Sequence, residues 1–172
     1  MSVAAIGIIC KAPQPGQSKT RLATAIGEVA ASELSACFLR DVAAAIEAIP
    51  EALGRRGYGV YAPAGTEQIM RRLLPAGFGL LLQAGDDLGH VLLGATRALL
   101  EAGHDCVLLV NGDSPTLPAH LLVQAVEILR EPGDLRAPGR RAPPARRLRH
   151  GRRPLRAARE PADAGRDRKS VV

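Results

Sequence analysis

The chain has 172 residues with 23 Lys and Arg against 17 Asp and Glu, a formal charge of +6, and one ordinary domain with a sizeable core is the expectation for that length. The basicity is confined to the end, because residues 1–130 carry 10 basic and 12 acidic side chains, a net of −2, whereas residues 131–172 carry 13 and 5, a net of +8. The four aromatic residues, Phe38, Tyr58, Tyr61 and Phe78, all precede that basic segment, so it has no ring on which a base could stack and a nucleic-acid partner is disfavoured; no apolar run reaches the length of a membrane span.

Residues 3–10 form a short, nearly continuous apolar run that stops where Pro13, Pro15 and Gly16 forbid regular structure, which predicts a buried strand and then a loop. From Thr20 to Ile49 the residues Leu22, Ile26, Ala30, Leu34, Cys37, Phe38, Val42 and Ile46 recur at spacings of three and four, predicting one long amphipathic helix that ends near Pro50. The pattern then repeats: strands over 57–62, 77–83 and 105–111, helices over 66–74, 88–101 and 119–130, with Thr66 as a candidate N-cap. The run at 105–111 is the most hydrophobic and is expected to be the most buried strand.

Apolar strands separated by helices predict an α/β fold with a mostly parallel sheet covered by helices on both faces. Ligands of such sheets lie beyond the carboxyl ends of the strands, which directs attention to the loops at 11–19, 84–87 and 111–118. Residues 1–130 therefore read as one α/β domain with its ligand site at these loops. In residues 131–172, by contrast, Arg, Ala, Pro and Gly make up 29 of 42 positions and Ile, Phe, Tyr, Met and Trp are absent. Such a segment cannot offset the entropy of ordering itself; it reads as a disordered tail, either a natural basic extension or, as the stronger reading, the out-of-frame product of a GC-rich gene. Cys10, Cys37 and Cys106 are odd in number and lack metal-ligand spacing, so buried free thiols and a cytoplasmic location are expected.

The first loop places Lys11, Lys19 and Arg21 around Gly16 at the start of a helix, an arrangement suited to phosphates through cationic side chains and backbone N–H groups. Gly16 to Thr20 contains the pattern of a Walker loop in part, but the glycine before the lysine and the earlier glycine are missing. A solvated basic loop is the plainer alternative. At the end of the strand at 105–111, Asp113 is placed to hold Mg²⁺, or Mn²⁺ in its place, against phosphate oxygens, or else to cap the next helix. Gln83 and Gly85 follow another strand; the amide of Gln83 suits a base edge or sugar, while Asp86 and Asp87 suit a metal contact or, as the preferred reading, the capping of the next helix. The four histidines show no shared spacing.

The motif from Lys11 through Pro13, Gly16, Lys19, Thr20 and Arg21 to Leu22, the motif from Gln83 through Gly85, Asp87 and Leu88 to Gly89, and the run Gly112-Asp113-Ser114-Pro115 occur in this order. Together they resemble the glycosyltransferase-A-like family called transferase 1 of the radical SAM/selenodomain-associated group, itself similar to the guanylyltransferases of molybdenum-cofactor and phospholactate-derived cofactor synthesis. The resemblance implies a nucleotide-diphospho-sugar transferase fold, a nucleotide or nucleotide-sugar substrate, phosphate contacts from Lys11, Gly16, Lys19 and Arg21, a catalytic part for Lys19 and Arg21, nucleotide seating by Gln83 and Gly85, and a metal on Asp113. It also implies a further strand and an acidic Gly-Gly-Tyr segment after residue 130, which this chain does not contain. The C-terminal part of the fold is thus expected to be missing. An inactive fragment of such an enzyme, or a protein acting on nucleic acid through the basic tail, are the competing expectations.

Overall fold

A computed structural model describes residues 3–131, and the tail expected over 131–172 lies, apart from Glu131, outside the described residues. Among the described residues four strands form one sheet: β1 (Ala4–Lys11), β2 (Arg55–Ala62), β3 (Gly79–Leu82) and β4 (Cys106–Asn111), in the order β3-β2-β1-β4, with each of these ladders parallel. Among the described residues five α-helices and one 3-10 turn (Glu51–Leu53) connect and follow them: α1 (Thr20–Ile26), α2 (Glu28–Glu47), α3 (Glu67–Leu73), α4 (Leu88–Glu101) and α5 (Ala119–Arg130). The mostly parallel α/β architecture expected from the strand and helix alternation is the one observed.

Alternating side chains of β1 divide the interior in two. Ile6, Ile8 and Cys10 meet Leu39, Val42 and Ile46 of α2, Met70 of α3 and Leu122 and Val126 of α5 in one buried cluster. On the opposite face a Cβ at Gly7 would touch Leu109, Val60 and Leu99, which places α4 there. The chain lays down β1, β2 and β3 in one direction and then returns across the sheet through α4 to put β4 on the far side of β1. A crossover running the other way across a sheet must use the other face to keep its hand. The reversal also opens a crevice between the carboxyl ends of β1 and β4, the position where open α/β sheets hold ligands.

Three sequence expectations are corrected. The single helix over 20–49 is two, broken at Gly27, whose φ of 87° lies where only glycine sits without penalty. The break resets the helical phase, so α2 buries Ala31, Ser32, Ser35, Leu39, Val42, Ala43 and Ile46, and Cys37 is exposed while Cys10 and Cys106 are buried. Of the predicted face only Val42 and Ile46 reach the core. The strand expected to be the most buried, β4, is instead one of the two edge strands among the described residues and buries only Cys106, whereas β1, paired on both sides, buries six of its eight positions. Hydrophobicity measures what a strand can bury; position in the sheet decides what it does bury. Finally, Thr66 stands at the N-cap of α3 without capping it, since its hydroxyl donates to Pro63 O at 2.7 Å within the preceding turn.

Candidate functional site at the carboxyl ends of β1 and β4

A cleft of about 650 Å³ opens at the crevice. Of the residues singled out in the sequence, Lys11, Lys19, Arg21, Gln83 and Asp113 line it; Gly16 and Gly85 do not. Gly16 lies beside the carboxylate of Glu28, and Gly85 packs against His90 and Val91 at the start of α4.

The first loop is held by its own polar groups. Buried Ser18 accepts the Gln14 N–H at 2.9 Å and donates to Ala12 O at 3.4 Å, and the N–H groups of Gln17 and Ser18 both donate to Gln14 O at 3.1 Å. The loop therefore spends these amides internally, unlike a Walker loop, whose amides face phosphate. What it presents to the cleft is cationic side chains. Lys19, the residue before α1, takes φ 47° and ψ 49°, the left-handed region, at a cost of about 1–2 kcal/mol for a residue with a Cβ. Such a conformation persists only where its surroundings dictate it.

Those surroundings are Asp113 and Phe38. The Lys19 ammonium donates to Asp113 Oδ1 at 2.8 Å and lies 4.5 Å from the centroid of the Phe38 ring. The lysine side chain is only 15% exposed, the aspartate 64%. Asp113 reaches this point because Gly112 lets the end of β4 close onto β1 and α2: Gly112 N–H donates to Ile9 O at 3.0 Å, and a Cβ there would stand 2.6 Å from Leu39 Cδ2 and 3.0 Å from Cys10 Cβ. The Asp113 N–H is then taken by Asn111 Oδ1 at 3.0 Å. Asp113 does not cap the next helix, the alternative the sequence left open, because a turn intervenes and Pro118 is the N-cap of α5.

Gln83 ties strand ends together. Its amide nitrogen donates to Cys10 O and Val60 O, both at 2.8 Å, so both N–H donors are spent and the acceptor oxygen is what remains for a ligand. Asp87 caps α4 as expected, accepting His90 N–H at 2.9 Å, a bond that together with the His90 ring holds its carboxyl below the usual range. On the cleft wall, burial first and the Asp113 charge second push the Cys10 thiol up from 9.0 to about 12, which disfavours its thiolate.

One exposed carboxylate at a strand end fits what Mg²⁺ asks of a protein when phosphates and waters supply the other oxygens. Among the described residues no three His, Cys, Asp or Glu side chains gather into a metal cage. Phe38 is the site residue that sequence reasoning missed: it was read as one more apolar position of a helix, and nothing in the local pattern distinguishes a ring facing a cleft from one facing a core. Among the described residues no helix is long and apolar enough to cross a membrane.

A family model described as "Uncharacterized protein conserved in bacteria (DUF2064)" matches residues 46–137. Curated protein sequences yield no match. Among solved structures, one from Desulfovibrio desulfuricans G20, named a "putative nucleotide-diphospho-sugar transferase", superposes with a TM-score of 0.66 at 26% sequence identity, over 76% of this chain and 56% of that one. The present chain thus spans just over half the length of that protein.

Proposed function

Because the chain belongs to the DUF2064 family of bacterial proteins, whose fold here resembles a nucleotide-diphospho-sugar transferase, we propose that its cleft serves a transferase acting on a nucleotide sugar or a nucleoside triphosphate. The observation that carries this is the Lys19 ammonium, largely withdrawn from water and anchored to Asp113 at the crevice where the strand order reverses. At an effective dielectric near 20, a cation about 4 Å from a phosphate oxygen gains roughly 4 kcal/mol before desolvation. A cation already out of water has met part of that desolvation beforehand.

In this reading Lys19 and Arg21 neutralise phosphate charge as the bond to the leaving group breaks, and catalysis is electrostatic and positional. Lys11, at the rim, adds charge. Gln83 offers its carbonyl oxygen to a donor on the sugar or base, and Gly85 shapes the turn beneath it. Asp113 would hold Mg²⁺, or Mn²⁺, together with substrate phosphates, the ion supplying further neutralisation of the phosphate oxygens. Nucleotidyl transfer, the chemistry of the guanylyltransferases that the motifs resemble, is the second reading; the Lys19-Thr20-Arg21 run favours it. Membership of the radical SAM/selenodomain-associated group belongs to the same proposal, as does a cytoplasmic location.

A thermal-shift panel tests it: nucleoside triphosphates, nucleotide sugars and the parent nucleosides, each with and without Mg²⁺. Phosphorylated ligands at a hundredfold excess over Kd should raise Tm by roughly 5–10 °C and nucleosides should not, while Asp113→Ala should lose the whole of the Mg²⁺-dependent increment. Equal shifts from nucleosides and nucleotides would remove the phosphate reading.

A further inference from the structure

Three observations converge on Phe38. Its ring lines the cleft from α2, an element that carries none of the sequence motifs. The Lys19 ammonium sits over that ring at 4.5 Å and is buried to the point of 15% exposure while its counter-ion remains open to solvent. Lys19 also starts from a left-handed backbone, so its side chain leaves the loop in a direction that extended or helical geometry would not give.

An ammonium has three N–H donors, and Asp113 takes one of them. A cation on an aromatic face is held by the ring quadrupole without a competing acceptor, and the attraction strengthens as water is excluded. A carboxylate alone would leave a four-carbon side chain free to swing about one contact. The ring supplies the second.

We propose that Phe38 is the positioning residue of this site, holding the Lys19 ammonium against Asp113 so that its remaining donors meet an incoming phosphate already aimed and partly desolvated. This rests on reading the cleft as a phosphate site. It predicts that affinity for a phosphate group depends on the ring at position 38 only for as long as Lys19 is present.

The test uses inorganic pyrophosphate as the probe, with calorimetry at low ionic strength on the full chain, Phe38→Leu, Phe38→Tyr, Lys19→Ala and the Lys19→Ala/Phe38→Leu double variant. Phe38→Leu should weaken binding by about 5- to 30-fold, Phe38→Tyr should stay within about twofold because the ring remains, and Phe38→Leu should cost nothing further once Lys19 is gone. Binding by Phe38→Leu equal to that of the parent overturns the proposal. So does an undiminished Phe38→Leu loss in the Lys19→Ala background, or a failure of Phe38→Tyr to restore affinity. Urea unfolding of the same proteins without ligand separates this from the phosphate reading. If the parent binds no pyrophosphate, the phosphate reading fails by itself, and a zero coupling between positions 19 and 38 in unfolding then overturns the positioning role as well. Phe38→Met takes the place of Phe38→Leu should the latter lose its folded baseline.

Discussion

The two ends of the same sheet differ in what their charged side chains meet. At the amino ends of the strands Arg55, Arg130 and Asp105 bond to backbone. Arg55 donates to Ile49 O at 2.8 Å and Glu47 O at 2.5 Å, Arg130 donates to Leu53 O and Gly54 O, Asp105 accepts Val3 N–H, and His104 joins Val3 O to the Tyr58 hydroxyl. At the carboxyl ends Lys19 and Asp113, 94 residues apart, meet each other across an open cleft. Side chains that satisfy backbone carbonyls close an end of the fold and add stability. A pair of opposite charges beside a cavity leaves donors and acceptors that a ligand can use. The difference leaves the carboxyl end as the one with side-chain donors and acceptors beside a cavity.

The sharpest way to break this contrast is Lys19→Ala against Lys11→Ala. Removing the anchored ammonium should weaken nucleotide or pyrophosphate binding by roughly 30- to 1000-fold, about 2–4 kcal/mol, whereas the rim lysine should matter far less; equal, small losses in titration calorimetry would make the carboxyl end a solvated surface like any other. Gly112→Val comes next. Its added atoms would collide with Leu39 and with the Cys10 Cβ, costing about 1–3 kcal/mol in urea unfolding and displacing Asp113, so binding should fall together with stability.

The amino end should show the converse. Arg55→Ala leaves two carbonyls without their donor and should cost about 1–2 kcal/mol of unfolding free energy with no change in ligand affinity; a change in affinity would deny the division of labour between the ends. The smallest effect concerns the thiols. The folded pKa of Cys10, about 12, lies above its ordinary 9.0, so its contribution is fully present below pH 9 and is lost as pH rises toward 12. Linkage makes that about 1 kcal/mol by pH 10, visible as a loss of stability that Cys10→Ala does not share. A thiol reagent at pH 8 should label exposed Cys37 well before buried Cys10 and Cys106.

Most of the fold was legible in the chain. Helices α4 and α5 match their predicted bounds, and the strands shift by one or two residues at their ends, because each element carries its own period and its own stop signals. The convergence of the first loop with Asp113 followed too, since parallel strands put all their carboxyl ends on one side. Gln83 was legible as a strand-end residue, but its bonds to Cys10 O and Val60 O were not; they depend on how three strand ends lie side by side. The break at Gly27 was passed over because the apolar spacing continues across it, and only the change of phase in α2 reveals that one helix has become two.

By itself, the sequence determined the order of strands and helices, the parallel sheet and the end of it at which the cleft lies, all of them consequences of local periodicity and of chain connectivity. Strand order was the business of tertiary structure: among the described residues it put the apolar β4 at one edge of the sheet and β1 inside it. So were the pairing of Lys19 with Asp113 and the ring of Phe38 beneath them. These contacts join side chains 94 and 19 residues apart, and their geometry depends on a close approach permitted at Gly112 and a helical phase reset at Gly27. Neither leaves a periodic signal, because a glycine states where a side chain is absent and only the folded neighbours state why.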